Sequence, residues 1–565
     1  MTPAPATPAD PRAPLRRGIY LLLVALATGN VAGRLCAVNA VDLVRLEEHL
    51  NDEARRKAGP GTPPKFRSLQ RPFLSANDRS RWCTVRALVE HGTYAIDDIV
   101  SQPNWDTIDM VKHDGRGNPA PGPDEGHLYS SKPPLLATLM AGEYWLLRRL
   151  TGKTLGTHPH ELGRIMLFTW NVIPLAVYLL ILARIVERYG TSDFGRVFVV
   201  AAAALGTLLS AYAVAFTNHW PAAFGTLVAL DATLRIVCEG ERRLRWFLLA
   251  GLAAAFVAAC ELPALLFCAL VVGLLLWTAP REALLAAVPG AALMAAAALG
   301  TNYLAHGTVR PPYAERHVAG GWYDYQFRRG GRVIDSYWKP ATRKSEIDRG
   351  EPSRAAYAFH VIVGHHGIFS LTPVWLVSLA GLAMLSTRRS PAAAGERAVA
   401  VLILACTLAC VAFYVTRPLE DRNYGGMATG FRWALWFAPL WLFAMLPAAD
   451  VLGVTRPRRI LAAALLAISV ASASYPTWNP WTQPWPKILA DSSVGRSGTL
   501  DRRVEVAWPA RRCSSPPPGR DQPAACAAFT AHVRRSPDGG LAAPPSRQAE
   551  RSRPVIRSSR AMSLP

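Results

Sequence analysis

Hydrophobic residues gather in separate blocks along this chain, divided by polar stretches of very unequal length. The blocks fall at residues 18–38, 165–183, 197–216, 220–234, 246–260, 263–277, 284–304, 368–385, 398–415, 433–448 and 460–474. Each is about 15 to 21 residues long with few ionised side chains, close to the ~20 residues that carry a helix across a bilayer. The pattern predicts an all-α integral membrane protein with about eleven transmembrane helices, since a chain in lipid must satisfy its backbone internally. The run at 135–147 is shorter and contains Glu143, so it reads as a helix lying in the interface. Glu261-Leu262-Pro263 reads as a tight external turn that keeps the blocks on either side apart.

Charge sets the orientation. Arg12, Arg16 and Arg17 precede the first block, which places the amino terminus in the cytoplasm and reads as an uncleaved first span rather than a signal peptide. On this count Arg184 and Arg188, Arg242, Arg243 and Arg245, Arg281, Arg388, Arg389 and Arg397, and Arg456, Arg458 and Arg459 all fall inside. The short outer loops are poor in arginine until Arg417, Arg422 and Arg432. The long loops 39–163 and 305–367 then lie outside, together with "FTNHWPAAFG" and "NYGGMATGFR". Four polar clusters far apart in sequence are thus expected at one extracytoplasmic face. The chain divides into a cytoplasmic tail 1–17, a membrane domain 18–490 and a tail 491–565 rich in Pro, Arg, Ser and Ala, for which disorder is expected. Before that tail, "PTWNPWTQPW" reads as an aromatic anchor at the interface.

The first long loop holds the densest chemistry. In "SANDRSRWCTVRALVEHGTYAIDDI", Asn77 is a plausible cap and Asp78 falls in the first turn of a helix. Trp82, Val85, Leu88 and Val89 share one face before His91-Gly92 ends it, which predicts an amphipathic helix on the membrane surface. A carboxylate in a helix's first turn is favoured as the anion, the form a general base needs; the alternative is a helix-start acid paired with Arg79 or Arg81. Lys132 precedes Pro133-Pro134, so its backbone is extended and the next helix starts at the prolines. The lysine projects from this corner, suited to a phosphate or to lipid headgroups, with Tyr129 close by in sequence.

An acid at a helix start, a helix ending in His-Gly, a variable insert and "KPPL" leading an aromatic helix together resemble the first external loop of the GT-C glycosyltransferases. The similarity is to the polyprenyl-phosphate-dependent branch, with the protein O-mannosyltransferases and lipid A aminoarabinose transferases. It is specific over residues 78–135 and loose elsewhere between 18 and 485. It implies a GT-C fold and transfer of a sugar from a polyprenyl-phosphate carrier to a lipid, glycan or protein acceptor. It also implies Asp78 acting on the acceptor and Lys132 facing the donor phosphate, in a bacterial inner membrane. Direct displacement would invert the anomeric carbon. The chain departs from the family twice: Asn77-Asp78-Arg79 stands where many relatives have adjacent acids, and Asn218-His219 where relatives often carry a second acid. His219 and Asn218 are candidates for orienting substrate. Arg432, after Gly425, Gly426 and Gly430, resembles a late family segment and is a candidate for holding phosphate bidentately. The alternative class is a non-catalytic transporter or flippase of an anionic lipid-linked headgroup, against which the lack of paired broken-helix segments speaks.

Composition adds limits. With 51% hydrophobic residues the chain belongs to the membrane class, and the net charge of +22 suits anionic headgroups and phosphates. No compact basic soluble domain stands out, so nucleic acid is not an expected partner. His360, His365 and His366 stand at the mouth of a span, and His366 is a candidate for lining the cavity. No acid has ligand spacing to them, so no metal site and no cofactor is assigned. The external residues Trp322, Tyr323, Asp324, Tyr325, Tyr337, Trp338 and Lys339 fit sugar stacking and a lipid interface equally well. The cysteines show no zinc spacing. Cys36, Cys238, Cys260, Cys268, Cys406 and Cys410 are expected as buried thiols, while Cys83, Cys513 and Cys526 fall in external segments. The last two are near enough in sequence to form a disulfide.

Overall fold

The computed structural model describes residues 10–37, 54–56, 58, 73–329, 331–339, 342, 344–345, 348–390 and 393–494. Cys513 and Cys526, most of the 491–565 tail and much of the first loop before residue 73 lie outside the described residues.

Every block that the hydrophobic pattern marked contains helix. Helix α1 (Ala13–Ala37) leads to the first loop, which contains α2 (Ala76–Glu90), the antiparallel hairpin of β1 (Met110–His113) and β2 (His127–Ser130), and α3 (Pro134–Thr151). There follow α4 (Pro159–Tyr189), α5 (Asp193–Tyr212), α6 (His219–Val237), α7 (Leu244–Cys260), α8 (Leu262–Thr278) and α9 (Pro280–His306). The second loop carries a hairpin of β3 (Gln326–Arg329) and β4 (Arg332–Asp335), then α10 (Arg354–Ile362). The remaining helices are α11 (Trp375–Thr387), α12 (Ala394–Val415), α13 (Arg432–Leu452), α14 (Arg456–Trp478) and α15 (Trp485–Val494).

Among the described residues eight helices, α1, α4, α5, α6, α9, α12, α13 and α14, are long and apolar enough to cross a membrane, and α7, α8 and α11 are shorter apolar helices. The chain is therefore a multi-pass membrane protein. Helices α6 and α13 sit at the centre, with most of their residues buried, whereas α1, α9 and α14 turn many apolar side chains outward. Close packing at two places requires the absence of a side chain. A Cβ on Gly251 would lie 1.9 Å from the Ala287 carbonyl oxygen, and one on Gly381 would lie 2.0 Å from that of Ala444. Small residues thus let α7 meet α9 and α11 meet α13 at backbone distance.

Several expectations need correcting. Helix α2 does not lie on a surface: every residue from 78 to 87 is buried on all sides, because α3, the hairpin and the loop at 105–109 close over the face that the sequence pattern leaves polar. Its cap is Ser75, whose Oγ accepts the Asp78 N–H at 3.0 Å, rather than Asn77. His91 and the left-handed Gly92 (φ +70°) do end it. The block at 368–385 is broken, with only a short turn at Ile368–Leu371 before α11, since Pro373 offers no N–H to continue the ladder. Cys36 is exposed rather than buried, and Cys238 and Cys268 are half-buried. Helix α3 exposes Leu139, Trp145, Leu146 and Leu150 and buries Leu136, Met140 and Tyr144.

The two long loops form one layer. The Lys112 backbone N–H donates to the Trp322 carbonyl at 2.9 Å, the Lys112 ammonium to the Gly122 and Gln326 carbonyls, and the Trp322 indole to Gly117 at 3.0 Å. Arg328 pairs with Asp124 across the same seam.

A candidate anion site beneath the loop layer

The site begins with the backbone that presents it. Asn171, in a π-turn of α4, donates through its amide to the carbonyls of Ala213 and Ala215. That pins the connection between α5 and α6. The next residue, Phe216, donates its N–H at 3.1 Å to Oδ1 of Asp78, which also accepts the Trp82 indole N–H at 2.9 Å; Oδ2 accepts the Leu74 N–H at 3.3 Å. Asp78 is 1% exposed and ties three segments together. Burial pushes its carboxyl up to about 6, against the opposing pull of the N–H donors and Arg81.

One helical turn on, Arg81 donates to the Asn77 carbonyl and side-chain oxygens and, at 2.6 Å, to Oδ1 of Asn218. The Asn218 amide donates at 2.7 Å to Oε1 of Glu261, and that oxygen lies 2.6 Å from Nδ1 of His219. The carboxylate therefore fixes the proton on Nδ1 and leaves Nε2 to accept, 3.3 Å from Nη1 of Arg432. Arg432 donates through Nη2 to the Gly425 carbonyl at 2.9 Å and lies over the Trp481 ring at 4.9 Å. Its Nε is buried with no partner. An unbroken run of hydrogen bonds thus links α2, the start of α6, the Glu261 turn and the glycine turn before α13.

Lys132 and Asp109 form the adjoining part. Pro133 is extended (φ −51°, ψ 128°) and α3 starts at Pro134, as the proline pair predicts. The Lys132 ammonium lies 3.2 Å from Oδ1 of Asp109 and 5.9 Å from the ring centre of Tyr313. Ser80 on α2 clasps both partners: its Oγ donates to the Asp109 carbonyl at 2.6 Å and meets the Ser130 hydroxyl at 2.6 Å, which accepts the Lys132 N–H. Burial lowers the Lys132 ammonium to about 8, with Asp109 opposing and Arg81 and Arg432 adding to the effect. Burial also opposes ionisation of Asp109, but Lys132, then Arg316 and Arg432, outweigh it and hold the carboxyl below the usual range.

Charge is unevenly matched here. Neither Arg81 nor Arg432 has a carboxylate within ion-pair distance among the described residues, although Arg81 is 2% exposed. Leaving a buried guanidinium without a counter-ion costs roughly several kcal/mol, so the arrangement is suited to an incoming anion. Around the start of α13, Thr207, Leu208, Ile368, Thr372, Trp375 and Trp441 line a small cavity of mixed polar and apolar character.

Of the residues proposed from sequence, Asp78, Lys132, Asn218, His219 and Arg432 come together. Tyr129 does not join them: its ring stacks on His113 at 4.0 Å in a separate cluster with His306 and Trp322. His366 is at the edge, its carbonyl accepting the Phe431 N–H at 3.2 Å and its ring stacked on Tyr424. No group of His, Cys, Asp or Glu able to hold a metal is found among the described residues. Sequence reasoning passed over Asp109, took Glu261 for a turn residue, saw Arg81 only as a partner for Asp78 and assigned Trp481 to a lipid anchor. Asp109 carried no local motif. Glu261 beside a proline between two apolar blocks was the one available signal.

The fold and site define a multi-pass membrane protein with an arginine-rich polar centre beneath two interlocked loops. No family model matches the chain, and no curated protein matches it. Among solved structures it is similar to the oligosaccharyltransferase of Archaeoglobus fulgidus in its apo form, with 13% identity and a TM-score of 0.38 over 85% of this chain and 58% of that one. It is also similar to the archaeal oligosaccharyltransferase AglB from the same organism, in complex with an inhibitory peptide and a dolichol-phosphate, with 13% identity and a TM-score of 0.39. The chain spans 58% of the length of that structure. At this distance the chemistry has to be argued from the chain's own side chains.

Proposed function

We propose that the protein is a GT-C-type glycosyltransferase that moves a sugar from a polyprenyl-phosphate carrier to a lipid, glycan or protein acceptor at the extracytoplasmic face of a bacterial cell membrane. The observation that carries this reading is a pair of guanidiniums without carboxylate partners among the described residues, the buried Arg81 and the half-buried Arg432, joined through Asn218, Glu261 and His219. A lipid-linked phosphate supplies the missing anion. As the bond between the anomeric carbon and the phosphate oxygen breaks, negative charge grows on the phosphate, where fixed donors stabilise it most. The Arg432 Nε is a donor without a hydrogen-bond partner, which a phosphate oxygen would satisfy. Glu261 holds His219 in the tautomer that supports Arg432.

The acceptor's proton goes to a carboxylate of the first loop, which brings two to the site, Asp78 and Asp109. Attack opposite the departing phosphate inverts the anomeric carbon. The test is release of labelled sugar from a polyprenyl-phosphate donor by membranes containing the protein, compared with Arg432→Gln. Transfer that depends on Arg432 supports the reading. Movement of the lipid across vesicles without glycosidic chemistry replaces it with a flippase.

A further inference from the structure

We infer that Lys132 and Asp109 form the acceptor half of the centre, with Asp109 as the proton acceptor and Lys132 as its positioning residue, while Arg81 and Arg432 alone hold the donor phosphate. The inference rests on the reading of the site as a sugar-transfer centre and divides the labour within it.

The division follows from which charges are already matched. Lys132 has its counter-ion at 3.2 Å in Asp109. A phosphate arriving at that ammonium would have to displace or repel the carboxylate beside it. Arg81 and Arg432 have no such competitor. The three carboxylates at the centre differ in the same way. The Asp78 oxygens are taken by three N–H donors. Oε1 of Glu261 is taken by Asn218 and His219. Asp109 has Lys132 as its one side-chain partner among the described residues, and its side chain is 12% exposed. Its backbone, by contrast, is fixed: Thr107 accepts its N–H, and Ser80 and the Ser131 N–H bond its carbonyl. A rigidly mounted carboxylate with open lone pairs is what a general base requires.

The step balances. The acceptor oxygen forms a bond to the anomeric carbon while its proton passes to a carboxylate oxygen of Asp109. The bond from the anomeric carbon to the phosphate oxygen breaks, and its electron pair leaves on the polyprenyl phosphate, held by Arg81 and Arg432.

The experiment measures two quantities on the full-length protein in detergent: binding of polyprenyl monophosphate, and turnover with a labelled polyprenyl-phosphate sugar. Arg432→Gln should weaken polyprenyl monophosphate binding at least tenfold. Asp109→Asn and Lys132→Met should leave that binding within threefold and cut kcat by ~100-fold or more, with Lys132→Arg restoring part of the loss. Because either single change strands a buried charge, the double variant Asp109→Asn/Lys132→Met is included, and retained phosphate binding reports that it is folded. Lys132→Met that loses binding as severely as Arg432→Gln overturns the division. So does Asp109→Asn with native turnover. Native protein that transfers no sugar while binding the lipid phosphate refutes the underlying reading instead.

Discussion

Two polar clusters are built in part from the same pair of loops, and they follow opposite principles. The first joins His113, Tyr129, His306 and Trp322. Gly115 donates its N–H to Nδ1 of His113, so the proton sits on Nε2, which donates at 3.0 Å to Nδ1 of His306. Aromatic faces cover both rings, and burial lowers His113 to about 4, so it is neutral at pH 7. The second cluster joins Arg81, Asn218, Glu261, His219 and Arg432, with Lys132 and Asp109 beside it. It is also hydrogen-bonded, with Arg81, His219 and Glu261 buried and Asn218 and Arg432 half-buried, yet its guanidiniums lack carboxylates among the described residues. A neutral polar cluster whose rings cover one another is a fastener; a charged one with unmatched cations has room for a ligand.

The sharpest way to break this comparison is to remove a cation from the second cluster. Arg432→Gln and Arg81→Gln should each reduce transfer by ~100- to 1,000-fold, the range for losing one fixed donor to a developing oxyanion. His113→Phe should leave kcat within threefold. Equal losses from both clusters, measured as labelled-sugar release, would show that position under the loops, not charge, decides function. Next in size is Glu261→Gln, which loses the charge-assisted bonds to His219 and Asn218, about 2 kcal/mol or ~30-fold. The loss should appear in donor KM, because Arg432 is what His219 supports.

A pH profile separates the two first-loop carboxylates. With Asp109 as base, whose carboxyl lies below the usual range, the rate should show no acid limb assignable to a carboxyl between pH 5 and 7. With Asp78 as base, held up to about 6, the rate should rise through pH 6. Stability gives an independent sign. The folded Asp78 carboxyl is raised above its ordinary value near 3.8, so its contribution is present below that pH and lost as pH rises through 6. Asp78→Asn should therefore flatten the pH dependence of thermal unfolding over that window.

How much of this was legible beforehand depends on the range of the signal. Apolar blocks announce themselves locally, so each marked block contains helix, eight of them long enough to span among the described residues, while the break at Pro373 escaped. Lys132, Asn218, His219 and Arg432 were found because they stand beside prolines, glycines or span ends. Asp109 sits in a loop with no pattern of its own, and its importance comes from Ser80, Ser131 and Lys132, two of which follow it by more than twenty residues. Helix α2 was misplaced because periodicity reports one apolar face and is silent when loops far along the chain bury the polar face as well.

The smallest expected effect is at Tyr129, which the sequence reading put among the substrate contacts. Its ring stacks on His113 with planes 6° apart and sits edge-on to His306, so what it supplies is the ring. Tyr129→Phe keeps that ring and removes a hydroxyl whose contacts do not reach the charged cluster. Turnover should stay within twofold and stability should change by less than about 1 kcal/mol. His113→Phe also keeps a flat ring but removes the acceptor for Gly115 and the donor to His306, so it should cost roughly 1 to 3 kcal/mol in thermal unfolding. A tenfold or greater loss of turnover in Tyr129→Phe, with unfolding unchanged, would join the neutral cluster to the site and dissolve the contrast between them.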